Sequence, residues 1–202
     1  MLPIAAGIYS FKSLKREGIL ILLLVISGSI PQIVRGVFGR RDFIYFFYNA
    51  NIPLELFIVY QFFKLHITEF IKQRSLQASF LISCVTGIVL MSVYSFQHRF
   101  FNEWVCMNNL FFTGWTLMLM IELYQRDDQK ISTHVPLFWF IIGLFLYSSC
   151  TAIIFSLWNY IRANENTLLN NIWILHDIFN VLMYVAFTCG ILLYNLKKYR
   201  YE

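Results

Sequence analysis

The last apolar stretch of the chain, residues 172–194, reads IWILHDIFNVLMYVAFTCGILLY. Its length suits one helical crossing of a bilayer, which takes about 20 apolar residues. Near its start it carries His176, Asp177 and Asn180. Ionisable and amide side chains are costly at membrane depth, so they are candidates either for a functional site or for a polar network between helices.

One face of this predicted helix is polar and aromatic. Its members recur at helical spacing: Trp173, His176, Asn180, Tyr184 and Phe187. Adjacent residues point in different directions on a helix, so at most one of His176 and Asp177 shares this face, and the spacing favours His176. Two interpretations stay open for the face. It forms an inward network that fixes helix packing, or it contacts a ligand, a proton or a substrate directly.

The composition of the whole chain is that of a membrane protein. Hydrophobic residues make up 58% of the 202 positions and charged residues only 13%, whereas soluble domains carry roughly 25% charged residues. The mean hydropathy is +0.61. We find no interior linker and no repeat, so residues 1–202 are predicted to form a single transmembrane helical domain. The four cysteines show no CxxC pair and no metal-binding spacing, so we expect no metal and no cofactor.

The predicted fold class is an all-α, polytopic helix bundle with six full spans. The six segments are 18–34, 52–70, 76–96, 104–124, 135–158 and 172–194. The first segment, 1–11, is too short to cross the bilayer. It is a half-helix, an interfacial anchor or the remnant of a span that starts upstream. The tryptophans are expected to form a belt near the segment ends: Trp104, Trp115, Trp139, Trp158 and Trp173.

Basic residues predict the orientation if successive loops alternate between the two sides. One side then carries eleven: Lys12, Lys15, Arg16, Lys64, Lys72, Arg74, Arg126, Lys130, Lys197, Lys198 and Arg200. The other carries five: Arg35, Arg40, Arg41, Arg99 and Arg162. The positive-inside rule places the C-terminus in the cytoplasm and, with seven segments, the N-terminus outside a bacterial inner membrane. These charges are scattered over short loops, so we expect no direct binding of nucleic acid.

The third segment contains the second candidate group. Glu55 lies one turn after Asn51 and follows Pro53. If the helix begins near residue 52, both polar residues occupy its first turn, where capping and acidic residues are favoured. Alternatively, Glu55 points into the bundle and meets His176 at the same membrane depth. Both interpretations stay open.

Polar residues of the fifth and sixth segments are expected to serve mainly in helix packing. Asn109 and Thr113 recur at helical spacing, and such side chains hydrogen-bond between helices. The patch YSSCT at 147–151 permits close helix approach. The catalytic candidates are Glu55, His176 and Asp177. The candidates for a ligand site or polar network are Asn51, Glu55, Asn109, Thr113, Trp173, His176, Asn180 and Tyr184.

Four stretches together resemble a group of small seven-helix membrane proteins common in Bacteroidota. They are residues 2–8, NIPLELFIVYQFF at 51–63, PLFWFIIGLFLYSSC at 136–150 and IWILHDIFNVLMYVAF at 172–187. The resemblance implies a seven-helix architecture and a sensory or accessory role. It also implies a complete first helix, and hence a start upstream of Met1. Pro31 and Gln32 resemble the hinge of PQ-loop transporters, although the pair occurs only once.

The leading hypothesis is a multi-pass sensory or accessory protein of the inner membrane. Polar groups of its third, fifth and seventh helices would form a pocket, and a separately encoded signalling or effector protein would read the response. One alternative is a membrane-embedded lipid hydrolase, with Glu55, His176 and Asp177 as acid and base groups. The others are an oligomeric pore or defence-associated effector, which would form a homo-oligomer, and a small PQ-loop-like transporter. Membrane lipid is a partner in every case.

Overall fold

The computed structural model describes residues 2–38, 41–94, 99–125, 135–157 and 166–198. Within these ranges the chain is all-helical, with no strand. The helices are α1 (Leu2–Ser10), α2 (Arg16–Phe38), α3 (Arg41–His66), α4 (Phe70–Val93), α5 (Asn102–Gln125), α6 (Pro136–Ser156) and α7 (Asn166–Lys198). A 3-10 turn, Phe11–Ser13, follows α1.

Five of these helices are long and apolar enough to cross a membrane. The candidate crossing segments are Arg16–Val37, Phe70–Val93, Asn102–Gln125, Pro136–Ser156 and Ile172–Leu196. The prediction of an all-helical bundle is therefore confirmed, and five of the six predicted spans correspond to helices of sufficient length and hydropathy. The remaining one, α3, has 26 residues. Its length suffices, but Asn49, Asn51, Glu55 and Gln61 lower its hydropathy.

The predicted bounds of the third helix were wrong. We expected 52–70, whereas α3 begins at Arg41 and ends at His66. Tyrosines and asparagines interrupt the apolar run before residue 52, so hydropathy alone missed the first turns, which are nevertheless helical. Asn51 and Glu55 therefore lie in the helix interior. The interpretation of these two residues as capping groups is wrong, because the first turn of α3 lies ahead of them.

Successive helices run in alternating directions. At one end of the bundle, Tyr194 of α7 donates a 2.8 Å hydrogen bond to Glu17 at the start of α2. Asn195 of α7 donates one of 2.8 Å to Ser10 at the end of α1. We call this end the C-terminal face. At the opposite face, Asn49 donates to the Arg99 carbonyl at 2.7 Å and accepts from the Phe101 amide at 3.1 Å, which joins the starts of α3 and α5.

The helix neighbours form a ring. Helix α3 packs against α2, α4 and α5, and α6 packs between α5 and α7. Helix α1 lies against α7 and α2 and closes the ring near the C-terminal face. Helices α6 and α7 approach closely at Gly190, where an added Cβ would lie 2.5 Å from Phe140 Cε1. By contrast, the backbone of α3 does not pack closely against that of α6 or α7.

The apolar core joins these helices through large aromatic side chains. Phe62 and Phe63 of α3 and Phe187 of α7 are fully buried, and Phe62 and Phe140 lie with ring centroids 6.4 Å apart. Trp104 and Trp115 are each only 2% exposed. Their predicted place in an aromatic belt was wrong, because both indoles point into the bundle and hydrogen-bond to α4.

Candidate functional site

Glu55 of α3 lies near side chains of α6 and α7. Its charge acts on the hydroxyls of Tyr147 in α6 and Tyr184 in α7, so these three side chains are electrostatic neighbours. Tyr48, which lies two turns before Glu55 on α3, acts on the same two tyrosines.

The imidazole of His176 lies in a box of aromatic rings. Its ring centroid lies 5.6 Å from that of Tyr147, 5.4 Å from Trp173 and 6.5 Å from Phe155. Tyr147 therefore contacts His176 and also interacts with Glu55. One of the two interpretations of Glu55 had it meet His176 directly, but within the described ranges no ion pair or hydrogen bond joins them. Tyr147 links the two groups instead.

Asp177 points away from this cluster. Its side chain is 77% exposed, whereas that of His176 is 14% exposed. His176 Nδ1 and Asp177 Oδ1 are 3.7 Å apart, which is too long for a hydrogen bond. The helical periodicity predicted this separation. Of the three catalytic candidates, the structure brings Glu55 and His176 into one region and leaves Asp177 outside it.

Three buried polar atoms near Tyr147 have no hydrogen-bond partner. They are Asn109 Oδ1 on α5, Thr151 Oγ1 on α6 and His176 Nδ1 on α7. Asn109 is 4% exposed and Thr151 is 1% exposed. The Asn109 amide nitrogen donates to the Val105 carbonyl at 2.8 Å, which leaves only its oxygen unmet. Thr151 Oγ1 lies close to the hydroxyl of Tyr147, one turn earlier on α6.

Helix register places these atoms at similar depth in the bundle. Two contacts between α5 and α6 set their register. Cys106 Sγ lies 3.5 Å from the Ala152 carbonyl oxygen, and the hydroxyls of Thr113 and Ser148 share a 3.0 Å hydrogen bond. Asn109 is between Cys106 and Thr113, so it lies opposite Thr151. Helices α3 and α5 are parallel, and contacts at both of their ends set Glu55 level with Asn109. We call the group the interior polar cluster: Glu55, Asn109, Tyr147, Thr151, His176, Asn180 and Tyr184.

The members of the cluster are buried to different degrees. Asn109 and Thr151 are buried, whereas Glu55, Tyr147, His176, Asn180 and Tyr184 are each partly exposed. Side chains join α3 to α6 nearby, since the ring centroids of Phe62 and Phe140 lie 6.4 Å apart. The interior polar cluster therefore lies among α3, α5, α6 and α7.

The other predicted site residues have more local roles. Thr113 joins α5 to α6 through Ser148, as expected for a packing residue. Trp173 packs on His176, and Asn180 lies one turn from Tyr184 on α7 with its side chain near that hydroxyl. Asn51 is partly buried one turn before Glu55, and its side chain forms no hydrogen bond with a described residue.

Sequence analysis missed Tyr147 as a member of the interior polar cluster and Tyr48 as a neighbour of it. Tyr147 was noted only as part of a packing patch, although it lies one turn before Thr151 on the same helical face. Tyr48 was overlooked because it precedes the predicted start of the third helix. Neither residue carries a sequence signal for its partners, because the register between helices is not encoded in periodicity.

The chemistry of the cluster is that of one carboxyl group, one imidazole, three hydroxyl groups and two amides. Such groups can bind a polar ligand or hold and move a proton. In the residues that the structure describes, no three His, Cys, Asp or Glu side chains form a group suited to a metal ion. Cys84, Cys106, Cys150 and Cys189 are free thiols.

Comparison of the chain with protein-family models, curated proteins and solved structures gives no match. The resemblance to small seven-helix proteins of Bacteroidota therefore stays a prediction.

Proposed function

We propose that this protein is a multi-pass membrane sensor that binds a ligand in a recess lined by the interior polar cluster. The supporting observation is the set of unmet polar atoms on Asn109, Thr151 and His176, three residues on three neighbouring helices. Leaving a buried polar group unmet costs about 1–3 kcal/mol. A bound polar molecule that bonds these atoms would offset that cost.

A purely structural role explains this arrangement less well. Polar side chains that hold membrane helices together do so by bonding to one another across the interface. In the interior polar cluster, the three unmet atoms lie on three different helices and do not bond to each other. The partial exposure of Glu55 and Tyr147 adds to this argument, because a packing network would close over its members.

The orientation that we propose places the C-terminal face in the cytoplasm of a bacterial inner membrane. Support comes from the alternating helix directions and from the eleven basic residues assigned to that side, against five on the other. His176 lies near the opposite end of the α7 crossing segment, so a ligand would enter from outside. The described turn between α3 and α4 is only Ile67–Glu69, so a separately encoded partner would carry the signal onward.

Native mass spectrometry of the protein released from its own membranes tests ligand binding. We expect the wild type to retain a bound molecule. The double variant Asn109→Leu, Thr151→Val should lose it while remaining folded, because both unmet acceptors are gone. Glu103→Gln, which alters an exposed carboxylate paired with Arg99, is the control and should retain it. A wild type without any bound molecule, or a double variant that keeps it, would contradict the proposal.

A second candidate is a membrane-embedded lipid hydrolase. It is favoured by the succession of Glu55, Tyr147 and His176 along one recess, which supplies acid and base groups in reach of one substrate. Release of fatty acid from vesicles is the readout. His176→Ala and Glu55→Gln should each abolish it, and Asp177→Asn, at an exposed position, should not. A wild type that releases nothing above the rate of empty vesicles would eliminate this candidate.

A further inference from the structure

We propose that a cavity at the C-terminal face binds the headgroup of an anionic phospholipid. None of its lining residues belongs to the interior polar cluster, so this inference stands apart from the proposed function.

The cavity lies where the end of α1 meets the last turns of α7. Its volume is about 630 Å³, and its lining includes Ser10, Lys12 and Asn195. Small-molecule sites in proteins have volumes of roughly 300–1,000 Å³. The cavity therefore has room for a phosphate group together with the glycerol that carries it.

The polar side chains of the cavity offer hydrogen-bond donors. Asn195 Nδ2 donates to Ser10 Oγ at 2.8 Å, and Asn195 Oδ1 accepts from Ser13 Oγ at 2.5 Å. Ser10 is only 1% exposed, and its hydroxyl donates no hydrogen bond to a described residue. The Lys12 ammonium adds three N–H donors and no acceptor. A buried hydroxyl hydrogen and an ammonium group beside it suit an anion that accepts hydrogen bonds, such as a phosphate.

The charge around the cavity is positive. Lys12 lines it, Lys15 and Arg16 follow in the next four residues, and all three side chains are exposed. None of the described lining residues is acidic. Nearby, Glu17 accepts a 2.8 Å hydrogen bond from the Tyr194 hydroxyl. Basic side chains at a membrane surface attract anionic lipids. A zwitterionic headgroup would instead bring a second cation to a cavity that already has one.

The rest of the lining is apolar and continues onto the outer surface of α1. Ile8, Tyr9 and Phe11 line the cavity, and all three side chains are largely exposed. Leu2, two turns before Tyr9, extends this exposed apolar surface along the helix. Acyl chains would cover such a surface, with the aromatic rings at the level of the headgroups. A free phosphate ion would leave it uncovered, so the observations favour a phospholipid as the source of the phosphate.

Native mass spectrometry of the full chain in a nonionic detergent tests the proposal. The protein is titrated with phosphatidylglycerol and with phosphatidylcholine of identical acyl chains. We expect phosphatidylglycerol to bind about tenfold more tightly than phosphatidylcholine. Inorganic phosphate at the same concentration should not displace the lipid.

Variants fix the position of the site. Lys12→Gln should remove the preference for phosphatidylglycerol, and because Lys12 is exposed the variant is expected to fold. Lys64→Gln is the matched control, since it removes an exposed charge at the end of α3 on the same face and should keep the preference. Ser10→Ala, which leaves the charge unchanged, should weaken phosphatidylglycerol binding about fivefold. Unfolding midpoints without added lipid report any loss of stability in each variant.

Three results would overturn the proposal. The first is equal affinity of the wild type for the two lipids, and the second is an unchanged preference in Lys12→Gln. The third is displacement of the lipid by inorganic phosphate, which would make this a site for a free anion. The ligand of the interior polar cluster is tested separately, because Asn109→Leu, Thr151→Val should leave the preference for phosphatidylglycerol intact.

Discussion

Two polar regions of the bundle use similar side chains in opposite ways. Between α4 and α5, Trp104 Nε1 donates to Ser83 Oγ at 3.0 Å, and Ser83 in turn donates to the Asn108 side chain. Trp115 Nε1 donates to Ser79 Oγ at 2.9 Å. In the interior polar cluster, the neighbouring residue Asn109 leaves its oxygen unmet. The adjacent asparagines thus differ in their bonding, since Asn108 bonds across a helix interface and Asn109 bonds only within its own helix.

The two regions also differ in how closely their helices approach each other. An added Cβ at Gly87 of α4 would lie 2.2 Å from Trp104 Cζ2, so the two helices meet in close contact there. Small residues permit such approach between membrane helices. The backbone of α3 makes no comparably close approach to that of α6 or α7 in the described helices. We therefore regard the α4–α5 interface as a structural joint, whereas the interior polar cluster is the binding region of the proposed function.

The largest effect on stability is expected from adding a methyl group at Gly87, where α4 and α5 are in close contact. Gly87→Ala should lower the free energy of unfolding by about 1–3 kcal/mol, because the buried Trp104 ring must shift. Gly114→Ala on α5 is the matched control, since nothing lies within 4 Å of an added Cβ there. It should stabilise by about 0.5–1 kcal/mol through helix propensity. Unfolding in mixed micelles measures both, and equal effects would show that the joint is not close-packed.

The adjacent asparagines provide the sharpest contrast. Asn108→Leu should destabilise by about 1–2 kcal/mol, because it removes the partner of Ser83, and should leave the bound molecule in place. Asn109→Leu should change stability by less than about 0.5 kcal/mol, because no bond across an interface is lost. It should nevertheless reduce ligand retention in native mass spectrometry. The reverse pattern would exchange the roles that we assign to the two regions.

The smallest difference is expected for the hydroxyl groups. Ser83→Ala should cost about 1 kcal/mol, because it leaves Trp104 Nε1 and the Asn108 side chain without their partner. Thr151→Val, which removes an unmet hydroxyl, should stay within about 0.5 kcal/mol of the wild type. Parallel unfolding titrations measure the free energy of unfolding of both variants. A larger loss of stability in Thr151→Val than in Ser83→Ala would show that the Thr151 hydroxyl already has a partner.

Sequence periodicity was informative where one helix decides the outcome. The spacing in α7 correctly turned His176 inward and Asp177 outward, because a single helix sets both directions. It failed for α3, where hydropathy concealed the turns before residue 52 and suggested capping for Glu55. It also misplaced Trp104 and Trp115, whose indoles have partners on another helix.

The contacts between the residues of the site could not be predicted from the sequence. Glu55, Asn109 and His176 were each recognised as candidates, but the sequence could not show that Tyr147 joins Glu55 to His176. That arrangement depends on the register of α6 against α7 and on the packing of α3 against α6. These follow from contacts such as Phe140 with Gly190 and Phe62 with Phe140, which no property of one helix reveals.

The most direct test is an experimental structure of the protein purified from its own membranes, at a resolution that shows ordered water. We expect density for a bound molecule between α3, α6 and α7 that contacts Glu55 and at least two of Asn109 Oδ1, Thr151 Oγ1 and His176 Nδ1. A recess in which these atoms bond to one another, or are bridged by water alone, would contradict a ligand site.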